Sequence, residues 1–101
     1  MKSRPYTLTD FEDRALAACD DMYLEATIAR DILSAWYEKV VSYRELRAAY
    51  SRLVQLGLLR AYTNRNHRIA LVGLSGHRTD SLSIRATKKG RHYLSLKRHV
   101  A

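Results

Sequence analysis

The stretch from Ser42 to Leu59 constrains the fold more than any other part of the chain. Ser42-Tyr43-Arg44-Glu45 has the spacing of a capping box, in which the Ser hydroxyl takes a backbone N–H three residues on and the Glu side chain reaches back. From there Leu46, Ala49, Tyr50, Leu53 and Leu56 fall within one apolar arc at about 100° per residue. Gly57 then stands where a left-handed residue stops a helix. Directly beyond it, Leu58-Leu59-Arg60-Ala61-Tyr62-Thr63 is a short β-rich run. A helix over about 42–56 that passes without a linker into a strand requires an architecture with both elements in one small core. The outward side of that helix carries Arg44, Ala48, Ser51 and Gln55, with Arg47 and Arg52 at its margins and no acid at its centre. Such a face is unusual for a helix that is merely solvated.

The flanking segments extend the pattern. Residues 1–8 are a short arm, basic and containing Pro5, with no helical period. Thr9-Asp10-Phe11-Glu12 is a second capping box, followed by Phe11, Ala15, Ala18 and Met22 on one helical face, with Leu8 and Cys19 beside it. Asp20-Asp21 should end this helix, because acids are unfavourable at a helix C-terminus. Met22 to Glu25 suits a short extended piece. A second helix is expected from about Ala26 to Val40, with Ile28, Ile32, Ala35, Trp36 and Lys39 near one face and Trp36 as an anchor in the core or at an interface. Downstream come the turn-like Asn64-Arg65-Asn66, a strand over His67–Val72, a loop Gly73–Asp80 and a strand Ser81–Ala86. Thr87 then caps a last helix, Lys88 to about His99, which should bury Tyr93, Leu94 and Val100.

The chain has 101 residues, enough for one modest core and not for two, so residues 9–101 are read as a single domain. No apolar run approaches the ~18–20 residues of a membrane span, and Met1-Lys2-Ser3-Arg4-Pro5 leads into no signal-peptide core. With Cys19 as the only cysteine an internal disulfide is impossible, and the expected compartment is the cytoplasm. Charge is the informative part of the composition. Residues 1–43 hold five basic and eight acidic side chains, whereas residues 44–101 hold thirteen basic and only Glu45 and Asp80 as acids. Thirteen of the eighteen cations are Arg, whose planar fork suits phosphates and guanine edges. A basic surface serving solubility alone is the simpler account, but the lopsided distribution favours a second half that binds a polyanion, nucleic acid being the commonest.

Three helices, a strand, a basic excursion, a second strand and a final helix follow the order of a winged helix-turn-helix domain. Leu53-Val54-Gln55-Leu56-Gly57-Leu58-Leu59 resembles the family's exit from its recognition helix into the first wing strand. Ile84-Arg85-Ala86-Thr87-Lys88-Lys89-Gly90-Arg91-His92-Tyr93-Leu94 is similar to the segment that closes the wing and opens the last helix in MarR-like, PadR-like and small archaeal and viral winged-helix proteins. The resemblance covers about residues 9–97. It implies an α+β fold of three helices, a two- or three-stranded antiparallel wing over about 58–86 and a C-terminal helix. The excursion 64–80 is longer than the usual wing, and the last helix is too short for the long dimerisation helix of MarR-like proteins.

Carried onto this chain, the resemblance makes helix 42–56 the recognition helix. Ser42, Tyr43, Arg44 and Arg47 would approach base edges or phosphates, with Ser51 deeper along the face and Arg52 at its margin; Arg44 is the best placed for guanine. Arg65, Arg68 and Arg78 of the wing would lie over phosphates or enter the minor groove, with Thr63 and Asn64 adding neutral phosphate contacts. The implied function is sequence-specific binding of double-stranded DNA, as a transcriptional regulator. The dimer mode is not carried over; a homodimer is expected from scale, since one recognition helix covers only a half-site, with the first helix and the end of the last as its apolar surfaces. The rivals are a winged-helix module for replication, excision or packaging in a mobile element, and an RNA- or protein-binding winged helix.

No catalytic constellation is present: there is no phosphate-binding glycine loop, nucleophile elbow or H-E-x-x-H. Asp10, Glu12 and Asp13 suit capping and solvation better than a hydrolytic pair. His67 and His77 both fall in the wing, but one distant cysteine leaves a closed zinc site without plausible ligands. The expectation is a protein that is not an enzyme, with no cofactor, metal or small-molecule ligand. Cys19, at the edge of an apolar stripe, suits a buried small hydrophobe rather than a redox sensor.

Overall fold

The computed structural model describes residues 7–65 and 68–100, without the side chains of Arg65 and of residues 97–100. The arm up to residue 6, Asn66, His67 and the expected burial of Val100 lie outside the described residues. In chain order the elements are α1 (Asp10–Ala18), β1 (Leu24–Glu25), α2 (Ala26–Tyr37), α3 (Tyr43–Gln55), β2 (Leu59–Arg65), β3 (Arg68–Val72), a 3-10 turn (Thr79–Ser81), β4 (Leu82–Ala86) and α4 (Lys88–Val100). The result is an α+β domain of four helices on one antiparallel sheet, ordered β1-β4-β2-β3. The sheet has four strands rather than two or three, because the extended piece before α2 joins it, Leu24 pairing with Ile84.

Both capping boxes form. In α1 the Glu12 N–H donates to Thr9 Oγ1 at 3.1 Å and the Thr9 N–H to Glu12 Oε1 at 2.9 Å. In α3 the Glu45 N–H donates to Ser42 Oγ and the Ser42 N–H to Glu45 Oε2, each at 3.1 Å. At the other end of α3, Gly57 takes φ +77°, its N–H reaches the Val54 carbonyl and the Leu58 N–H reaches that of Leu53. This paired closure satisfies two orphan carbonyls and aims the chain into β2.

The start of α4 is built onto the same junction. Thr87 Oγ1 donates to the Gly57 carbonyl at 2.7 Å and accepts from the Gly90 N–H at 3.0 Å, while Lys89 Nζ reaches the Leu56 carbonyl at 3.1 Å. Gly90 is needed because a Cβ there would lie 2.2 Å from the Leu58 carbonyl oxygen. The Thr-x-x-Gly spacing thus has a mechanical reason: the first turn of α4 rests on the backbone where α3 becomes β2.

Along the strands, Leu59, Ala61, Leu82, Ile84 and Ala86 point to the helices and are buried. Arg60, Tyr62, Ser83 and Arg85 alternate with them onto the opposite face, as period two requires. The helices close the core with Leu16, Leu33, Leu46, Tyr50 and Leu53.

Helix α2 departs from expectation twice. It ends at Tyr37 rather than Val40, where Glu38 adopts a left-handed conformation (φ 54°) that no glycine announces. It also buries Ala26, Ala29 and Leu33, while Ile28 and Ile32 are each 46 % exposed, Trp36 58 % and Val40 76 %. At 100° per residue the buried arc is turned roughly a quarter-turn from the Ile28–Ile32–Trp36 stripe. Trp36 is therefore not a core anchor; the Arg14 guanidinium sits 4.0 Å from its ring centroid. Small alanines let α2 come close to its neighbours, a gain that the larger apolar residues would forfeit.

Of the apolar stripe expected to face a second copy, Ala15 is buried and Phe11 and Ala18 are half-buried, while Met22, past the end of α1, is 65 % exposed. Ala15 and Leu16 are fully buried, and Phe11 stacks on Tyr37 at 5.9 Å. The acids of α1 are structural. Glu12 accepts from Arg52 Nη1 at 2.7 Å, tying α1 to α3, and Asp13 accepts from the Tyr93 hydroxyl at 2.8 Å, tying α1 to α4. Among the described residues no helix is long and apolar enough to cross a membrane.

Candidate nucleic-acid interface

The candidate surface is the outward side of α3 with the β2–β3 hairpin. Arg44 is exposed near the start of α3 and makes no hydrogen bond or ion pair with any described residue. Beside it run exposed Ala48, half-buried Ser51 and exposed Gln55. The acid in this first turn, Glu45, is held by the Ser42 N–H and hydroxyl and by Lys39 Nζ at 3.5 Å. The bonds from Ser42 hold the Glu45 carboxyl below the usual carboxylate range, with Lys39 adding a smaller pull, so it stays ionised and confined to its cap. Ser42 itself is occupied as the N-cap. Tyr43 is half-buried, with the Arg30 guanidinium 4.7 Å above its ring.

The other arginines of α3 are turned to structural use. Arg47 Nη1 donates to the His77 carbonyl at 2.7 Å and to Thr79 Oγ1 at 3.4 Å, and its Nη2 to the Leu74 carbonyl. It ties loop 73–78 to the helix, so its fork is filled by loop oxygens rather than turned outward. Arg52 donates to Glu12 and, through Nη2, to the Thr7 carbonyl at 2.8 Å, which leaves it bracing the N-terminal segment.

Of the wing residues, Thr63 is half-buried opposite Ala70 and Leu82, and Asn64 is exposed opposite Ile69. Arg65 and Arg68 are directly paired at the far end of the hairpin; Arg68 is exposed, and the Arg65 side chain lies outside the description. Arg78 is not on the hairpin at all. It belongs to the loop before β4, where its Nε and Nη2 donate to the two Asp80 carboxylate oxygens at 3.2 and 3.1 Å. With Tyr43, Arg47 and Thr79 the Arg78–Asp80 pair lines a hollow of about 280 Å³ at the N-terminal end of α3. Among the described residues no group of three or more His, Cys, Asp or Glu side chains is placed to hold a metal ion.

Sequence reasoning missed a second basic cluster. Arg60 and Arg85 are direct cross-strand partners on the outer face of the sheet, and Lys88 and Arg91 adjoin them from α4. The alternation of 58–63 and 81–86 already placed both arginines on the non-core parity, but their opposition depends on strand register, which sequence alone did not supply. Comparison with protein-family models, with curated proteins and with solved structures finds no match to this chain.

Proposed function

We propose that this chain is a winged helix-turn-helix protein that binds duplex DNA sequence-specifically, as a transcriptional regulator acting in homodimeric form. Helix α3 enters the major groove and the β2–β3 hairpin serves as the wing on the backbone. The observation that carries this reading is the state of Arg44. It is an exposed cation with no partner among the described residues, on a helical face with no acid at its centre, while its neighbours Arg47 and Arg52 are fastened inward. Arg44 takes the base-reading role, Ser51 and Gln55 line the same face, and Arg68 with Arg65 holds phosphates.

The imbalance of thirteen basic to two acidic side chains after residue 43 supports attraction to a polyanion. The homodimer follows from scale, since one helix covers only a half-site. Its contact is assigned to the exposed Ile28–Ile32–Trp36 stripe of α2, because Ala15 of α1 is buried and Phe11 packs against the core.

Selection of bound sequences from a random duplex pool tests the reading, followed by Arg44→Ala on the selected site and on random duplex. Loss of a bidentate base contact should cost ~1–3 kcal/mol on the selected site and much less on random duplex. An unchanged ratio, or a pool that yields no preferred sequence, would overturn the assignment of α3 as reader.

A further inference from the structure

Three electrostatically unfavourable features meet at one place, away from α3. Arg60 on β2 and Arg85 on β4 are opposed directly across the ladder, where like charges destabilise a sheet. Lys88 and Arg91 stand in the opening turns of α4, three residues apart and so on one face, at the end of the helix where the backbone dipole disfavours cations; no acid accompanies them in that first turn. The Nε of Arg85 is buried and has no hydrogen-bond partner among the described residues, a donor left with its desolvation uncompensated. All four side chains line a single hollow of about 290 Å³ together with Tyr62 and Thr87, and no acid is among its lining residues. Tyr23 flanks the group, its ring 5.3 Å from the Arg85 guanidinium and edge-on to Tyr62 at 4.8 Å.

One anion placed in this hollow offsets the first two costs at once. It screens the opposed arginines from each other and neutralises the cations at the α4 N-terminus. Two guanidinium forks converging from adjacent strands match the several oxygens of a phosphate better than the single charge of a halide.

We propose that the hollow between the outer face of the sheet and the start of α4 is a phosphate-binding site, separate from the α3 surface and sharing no residue with it. The phosphate belongs either to a nucleic-acid backbone or to a free polyphosphate. The site stands on its own geometry, whether or not α3 reads DNA.

Inorganic pyrophosphate is the probe, with thermal unfolding and the arginine Nε–H resonances as readouts. Pyrophosphate should raise the melting temperature saturably and shift the Arg60, Arg85 and Arg91 signals while leaving Arg44 and Arg68 in place. The double variant Arg60→Gln/Arg91→Gln should be more stable than the parent without ligand, because the repulsion is gone. It should also bind pyrophosphate at least about tenfold more weakly. That opposite movement of stability and affinity is not produced by general screening. An equal gain in both proteins, an equal gain from sodium chloride at matched ionic strength, or shifts spread over every exposed arginine would overturn the site. The source of the phosphate is read from duplex binding. If the double variant flattens the log K against log salt slope by about 0.9 per lost contact, the phosphate is that of a DNA backbone; an unchanged slope assigns a free anion.

Discussion

Replacement of Arg47 separates a side chain that braces a loop from one that reads DNA. Its guanidinium donates to the His77 and Leu74 carbonyls and to the Thr79 hydroxyl, holding loop 73–78 on the side of α3. Hydrogen bonds from a charged donor contribute about 1.5–3 kcal/mol each. Arg47 is only half-buried, so water replaces part of what is lost, and the two carbonyl bonds together are worth roughly 2–3 kcal/mol. In urea, with m of about 1–3 kcal/mol per molar for a small domain, Arg47→Ala should lower the unfolding midpoint by about 1–2 M. Amide protons of residues 74–79 should exchange faster in the variant. Arg47→Lys should recover only part of the loss, since an ammonium does not present a planar fork to two carbonyls. Affinity should fall equally for selected and random duplex, through loosening of the scaffold. A midpoint within about 0.3 M of the parent, with a tenfold drop in the selected-to-random ratio, would refute this reasoning and return Arg47 to the bases.

Gly90→Ala should destabilise by at least about 2–3 kcal/mol, because its Cβ would stand 2.2 Å from the Leu58 carbonyl, whereas Gly73→Ala, with open space around it, should barely move the melting temperature. Cys19 should resist a thiol reagent until the chain unfolds: it is fully buried, and burial, aided by the charge of Asp20, pushes its thiol up to about 12 from 9.0. Between those values the unfolded thiol is ionised while the folded one keeps its proton, so stability should fall with rising pH above about 9, by about 1.4 kcal/mol per unit from this group, and Cys19→Ala should flatten that slope. Ile32→Ser/Trp36→Ser should leave the melting temperature nearly unchanged and shift the protein to monomer in sedimentation; a monomeric parent would remove α2 as the dimer contact.

What could be read from the sequence, and what could not, divides by range. The capping boxes at Thr9 and Ser42, the stop at Gly57 and the burial of Leu46, Ala49, Tyr50 and Leu53 all appear in the structure, because each is decided within a turn or two of chain. Helix α2 misled because its largest apolar residues form a stripe, yet the buried arc was chosen by how closely neighbouring backbones could approach, which favoured Ala26 and Ala29. The candidate site divides the same way. Arg44 and Arg47 are the same residue type one turn apart on one helix, and they differ only because loop 73–78, which has no periodic pattern, folds back onto Arg47 and not onto Arg44. Arg60 and Arg85 lie on readable parities, but a register set across 24 intervening positions brought them face to face. Net charge is therefore a poor measure of the contact surface. Among the described residues the three arginines of α3 reduce to one unpartnered fork, and the cations held at unfavourable positions lie on the far side of the sheet. In a chain of this charge, a cation whose placement costs the fold stability is a better pointer to a bound anion than one that merely faces water.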